Sequence, residues 1–136
     1  MPSSYRLLRI ALVVFGAIMV LLYPLATVWP SGWAWHHGAP HESQYFMMIV
    51  GLYATLGVFL INAARNPAAN VSVIWFAVWS SAVHAAIMAV QSLSQGHMGH
   101  LVGDVPALGL VAVVLAVLMK SSGVKGESAP DARVDR

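Results

Sequence analysis

The sequence predicts an all-α polytopic membrane protein, folded as an up-down-up-down bundle of four transmembrane helices. Three observations predict it. Of the 136 residues, 59% are hydrophobic and only 9% charged. Four apolar stretches each have the length of a membrane span, and all seven Lys and Arg residues fall on one side of a chain that crosses four times. A soluble domain carries about a quarter charged residues, because a small globule has a large surface to cover. So few charges belong to a single bilayer domain, and a chain of this length has no room for a second.

A hydrocarbon core roughly 30 Å thick takes about 20 apolar residues per helix. Residues 7–28 form the first span, interrupted only by Arg9. Pro24 leaves the Val20 carbonyl without its helical donor, which predicts a kink. Pro30-Ser31-Gly32 end this span among Trp29, Trp33 and Trp35, a cluster suited to the membrane interface. Residues 45–64 form the second span, where Gly51, Ala54 and Gly57 give a small-residue face for close helix contact. A five-residue turn, Asn66-Pro67-Ala68-Ala69-Asn70, leads to the third span at 71–91. There Pro67 stops one helix and Asn70 is suited to cap the next. Residues 101–119 form the fourth span, apolar apart from Asp104. Short connections favour antiparallel neighbours. Residues 121–136 have almost nothing to bury and read as a disordered tail, which leaves 1–120 as the transmembrane domain.

The charges orient the bundle. Arg6 and Arg9 precede the first span, Arg65 lies between the second and third, and Lys120, Lys125, Arg133 and Arg136 follow the fourth. The loops at 30–44 and 92–100 contain no Lys or Arg. Positive-inside bias therefore predicts cytoplasmic termini, with these loops on the outer face of a cell inner membrane. The absence of cysteine excludes disulfide scaffolds, thiolate metal sites and Cys-based redox chemistry. The expected surroundings are the lipid bilayer, with a homo-oligomer or a larger membrane complex as candidate assemblies and no nucleic acid.

Polar chemistry collects toward the outer side. His36, His37 and His41 lie in the first outer loop, with Glu42 beside them; His97 and His100 lie in the second, just before Asp104. Imidazole suits Zn, Cu and Ni, so a divalent metal is a candidate cofactor. On a continuous helix, His97-x-x-His100-x-x-x-Asp104 places two imidazoles and a carboxylate on one face. Gly96, Gly99 and Pro106 oppose such a helix. The alternative makes Asp104 an N-cap, with Pro106 in the first turn, where its missing donor costs nothing. His41 and Glu42 form a weaker candidate metal pair.

His84 lies inside the third span, and an ionisable residue there is a functional candidate by default. Seven residues from the outer end at Gln91, it is roughly 10 Å deep; Tyr53, eight residues into the second span, reaches about 12 Å. Ser81, His84, Met88, Gln91 and Gln95 recur in steps of three and four. Such a polar stripe should face the bundle, because lipid offers no hydrogen bonds. Its readings are a helix-joining hydrogen bond between His84 and Tyr53, a proton relay or substrate contact, and a cofactor site for haem or quinone. No other span contains the second imidazole that a bis-histidine haem requires.

Several strings resemble a family of small bacterial four-helix integral membrane proteins of unknown function. They are Tyr23-Pro24-Leu25, Trp29-Pro30-Ser31-Gly32-Trp33, Gly51-Leu52-Tyr53-Ala54-Thr55-Leu56-Gly57, Trp79-Ser80-Ser81-Ala82-Val83-His84 and Gly99-His100-Leu101-Val102-Gly103-Asp104-Val105-Pro106. The resemblance covers 23–119; it implies a bacterial inner-membrane bundle and no catalytic residue. Nothing in the chain pairs a nucleophile with a base, and outside the tail its carboxylates are Glu42 and Asp104. The leading expectation is an accessory, scaffolding or complex-subunit protein. The alternatives are divalent-metal binding or transport through His97, His100, Asp104, His41 and Glu42, and haem or quinone binding around His84 and Tyr53.

Overall fold

A computed structural model describes residues 3–30, 39–95 and 99–125, with backbone alone at 95, 99 and 100. The helices are α1 (Ser3–Val20), α2 (Leu22–Val28), α3 (Gln44–Ala63), α4 (Val71–Gln95), α5 (Gly99–Val102) and α6 (Asp104–Ser122). Two short 3-10 turns, Pro40–Glu42 and Pro67–Asn70, precede α3 and α4. Four helices, α1, α3, α4 and α6, are long and apolar enough to cross a membrane, and no strand occurs among the described residues.

The kink at Pro24 is a break. Leu21 N–H still reaches the Ala17 carbonyl at 3.0 Å, and Leu25 N–H reaches the Leu21 carbonyl at 3.1 Å. Pro24, between them in the ladder, has no N–H for Val20, and α1 gives way to α2 at Leu21. Arg9, the one charge inside the first span, has a structural task. Its Nε donates to the Ala64 carbonyl at 2.6 Å, satisfying an acceptor at the C-terminal end of α3, where a cation also suits the helix dipole. The other end of α3 is capped by Ser43, whose Oγ accepts from Phe46 N–H at 3.1 Å.

Two expected caps are displaced. Asn66, not Asn70, caps the turn before α4: its Oδ1 accepts from Ala69 N–H at 3.3 Å, while Asn70 Nδ2 donates back to the Asn66 carbonyl at 2.9 Å. Pro67 fits the first position of the turn because no partner is needed for an N–H there, so helical winding begins four residues earlier. At the fourth span Gly103, not Asp104, holds the cap position, with φ −94° and ψ −98°. This residue separates α5 from α6, so His100 and Asp104 do not share a continuous helix. Glycine resists helix propagation, and Pro106 has no N–H for the Val102 carbonyl. Asp104 becomes the first residue of α6, where a carboxylate suits the helix dipole. Lys120 sits in the last turn of α6, which runs to Ser122 and ends at Gly123, with φ 66°.

Helix α1 packs along α3 and α6, and α6 along α4; the seam between α3 and α4 is the least engaged of the four. Ser4 Oγ donates to the Ser121 carbonyl at 3.1 Å, so the start of α1 and the end of α6 meet at one end of the bundle. Arg6, Arg9, Arg65, Lys120 and Lys125 gather there, and it is called the basic end below. Its core contains Leu8, Leu12, Leu60, Ile74 and Leu115, all fully buried. Gly16 and Gly57 bring α1 and α3 into backbone contact: a Cβ on Gly57 would lie 2.5 Å from the Gly16 carbonyl oxygen. Gly51, expected on the same small face, meets nothing. Ile10, Leu52, Phe76, Trp79, Val90 and Val113 point outward, as side chains solvated by lipid do.

A candidate pocket at the histidine end

All four spans contribute to a cavity of about 140 Å³ in the half opposite the basic end. Its walls are mostly apolar, among them Phe15, Met19, Phe46, Ile49, Leu108 and Val111. Tyr53, His84 and Asp104 supply its polar side chains. Tyr53 from α3 and His84 from α4 are joined by a hydrogen bond of 2.6 Å between the phenolic oxygen and Nδ1, with ring centroids 5.6 Å apart. The donor follows the imidazole tautomer. With Nδ1 taken, Nε2 is the ring nitrogen available to a ligand. This bond crosses the seam where α3 and α4 otherwise touch least.

Asp104, the first residue of α6, is 6% exposed and lines the same chamber as Tyr53 and His84. A buried carboxylate, an imidazole and a phenol thus share one apolar chamber. They can donate to and accept from a polar ring or head group, and they can pass a proton between them.

The chamber adjoins a second recess. Phe46, Ile49, His84 and Met88 also line a groove on the outside of the α3–α4 seam, together with Ser43, Ser80 and Gln91. His84 is thus part of the partition between the bundle interior and a face open to lipid.

Of the polar stripe on α4, Ser81 and Met88 are buried and His84 lines the chamber, while Gln91 is exposed and lines the outer groove. The inward position is Ser92, fully buried and not on the expected stripe. Steps of 3-4-3-4 average 3.5 residues and drift around a straight helix; Ser81, His84, Met88 and Ser92 follow 3-4-4, closer to 3.6. The Ser81 and Ser92 hydroxyls have no hydrogen-bond partner among the described residues. Gln95 is described by backbone alone.

The candidate metal ligands are dispersed or only partly described. His41 and Glu42 are exposed on the turn before α3, and Asp104 faces the chamber. His36, His37 and His97 lie outside the described residues, and His100 is described by backbone alone. Among the described residues, no three His, Cys, Asp or Glu side chains are grouped to hold an ion.

Fold and pocket together define an all-α, four-span membrane protein with a polar chamber buried between its helices. The chain belongs to DUF6632, a family of unknown function, whose family model matches residues 2–136. No curated protein and no solved structure matches it.

Proposed function

We propose that this protein binds a lipid-soluble ring compound of the quinone class in the chamber formed by Tyr53, His84 and Asp104. The observation that carries this reading is an apolar cavity of about 140 Å³ whose polar side chains are those three. An apolar cavity of roughly 150 Å³ accommodates one benzene-sized ring, so the chamber has room for a single ring and none for a tetrapyrrole. A ring oxygen finds one donor in this pair: His84 Nε2–H when the Tyr53 hydroxyl donates to Nδ1, or the Tyr53 hydroxyl when Nδ1–H donates to it. The remaining walls are apolar, as in most small-molecule sites. The groove along the α3–α4 seam lies just across the partition that His84 helps to form, so an apolar tail that parted this seam would reach the bilayer. Such a protein carries or presents its ligand within the membrane, which also suits an accessory subunit of a larger complex.

The test is titration of purified protein in detergent with a short-chain quinone, followed by quenching of intrinsic fluorescence. The expected result is saturable quenching, weakened about tenfold in His84→Ala, the loss of one hydrogen bond worth about 1.4 kcal/mol. Tyr53→Phe should weaken it less. Linear, non-saturable quenching, or equal affinity in all three proteins, would refute the proposal.

The one-sided Lys and Arg distribution supports a bacterial inner-membrane setting with cytoplasmic termini. The chain has no cysteine, so Glu42→Cys should react with an impermeant thiol reagent on intact cells and Lys120→Cys only after lysis. The reverse pattern would invert the assignment.

A further inference from the structure

At the basic end, α1 and α3 leave a groove whose lining changes character along its length. Ile10, Val13, Val14 and Ile61 form its apolar part, and Arg6, Arg9 and Arg65 stand at its mouth. Arg9 uses Nε on the Ala64 carbonyl and keeps its terminal nitrogens. Among the described residues, the guanidinium groups of Arg6 and Arg65 have no ion pair and no hydrogen bond. Both described carboxylates, Glu42 and Asp104, belong to the opposite half. Three forked donors beside an apolar trough, at a membrane boundary, complement a phosphate attached to an acyl chain: guanidinium binds phosphate through paired N–H bonds, and basic pockets between membrane helices select anionic head groups.

We infer that this groove is a binding site for one anionic phospholipid. Its phosphate lies among Arg6, Arg9 and Arg65, and an acyl chain runs along Ile10, Val13, Val14 and Ile61. The trough and the charges act together, so a free phosphate lacks half of the interaction. The site is independent of the chamber at the other end and places a specific lipid against the α1–α3 interface, where Gly16 meets Gly57.

The experiment is native mass spectrometry of the full chain in detergent, titrated in parallel with phosphatidylglycerol and phosphatidylcholine. One phosphatidylglycerol should bind preferentially, and Arg6→Gln/Arg65→Gln should weaken it on the order of 20-fold, since each basic residue near an anionic surface contributes roughly fivefold. Arg9 is left in place because it caps α3. Ile10→Ala/Val14→Ala should also lower affinity while the charges remain. Equal binding of the two lipids, or unchanged binding in the arginine variant, overturns the site. So does competition by millimolar inorganic phosphate alone, which would make it a plain anion site. The rival occupant is the acidic part of the tail, Glu127, Asp131 and Asp135. Neutralising these three should leave phosphatidylglycerol affinity unchanged; a chain that takes up the lipid only once they are neutralised would make the tail the occupant of the groove and overturn the lipid assignment.

Discussion

The two ends of this bundle are built on opposite principles. At the basic end, long unbroken helices meet through fully buried Leu8, Leu12, Leu60, Ile74 and Leu115. Nearer mid-span, two glycines let α1 and α3 backbones touch. At the histidine end, helices break at Leu21 and Gly103, a small cluster of Ala26, Phe46 and Val50 packs by itself, and a chamber is left in the middle. In lipid, helices associate mainly by van der Waals packing and polar contacts. The close-packed end therefore supplies most of the stability, and the other end is free to hold a cavity with buried polar groups. The difference teaches where stability and chemistry are separated in a chain too small for two domains.

Several substitutions test that division. The largest effect is expected at Gly57→Leu, because even its first side-chain atom falls 2.5 Å from the Gly16 carbonyl oxygen. It should cost about 3 kcal/mol or more, the upper range for overpacking, as measured by unfolding in mixed detergent. Gly51→Ala, in open space, is the control and should cost almost nothing. Next comes Leu60→Ala in the packed half, expected to cost roughly 2–3 kcal/mol through lost contacts and a new void. Leu108→Ala, beside a cavity already present, should cost clearly less; equal losses would erase the contrast between the two ends.

A cavity-filling change sharpens the comparison from the other direction. Ala107 lines the chamber, and Ala107→Leu should raise stability by about 1 kcal/mol, as filling a void commonly does, while abolishing quinone binding. Loss of both would mean that the chamber is needed for folding. Apart from the Gly51→Ala control, the smallest effect on stability is expected from Tyr53→Phe, which removes the 2.6 Å bond to His84. Hydrogen bonds between membrane helices average about 0.6 kcal/mol, so unfolding should shift little while ligand affinity falls. A loss of several kcal/mol would make this pair a structural clamp between α3 and α4.

Much of the site was legible before its geometry. His84 and Tyr53 stood out because an ionisable group and a phenol at similar depth are costly in lipid unless they meet. Asp104 was legible as a helix cap or a metal ligand, and its spacing from His97 and His100 pointed to the outer loop, away from His84. The spacing argument assumed one continuous helix, and Gly103 interrupts it. Ser92 was hidden by an ambiguity of one position between a 3.5 and a 3.6 repeat. Gly16 gave no signal because it has no small-residue partner at close helical spacing; its partner, Gly57, is 41 residues away.

The sequence by itself determined the all-α class and the number of helices long and apolar enough to cross a membrane. The reason is that lipid forces every backbone group into local helical hydrogen bonds, so length and hydropathy leave little choice. The tertiary structure decided which polar groups share a chamber and which seam stays open. Those outcomes depend on how far each helix reaches and how it is rotated against its neighbours. The break at Gly103 starts α6 at Asp104, and the packing of that helix against its neighbours puts the carboxylate in one chamber with His84 and Tyr53.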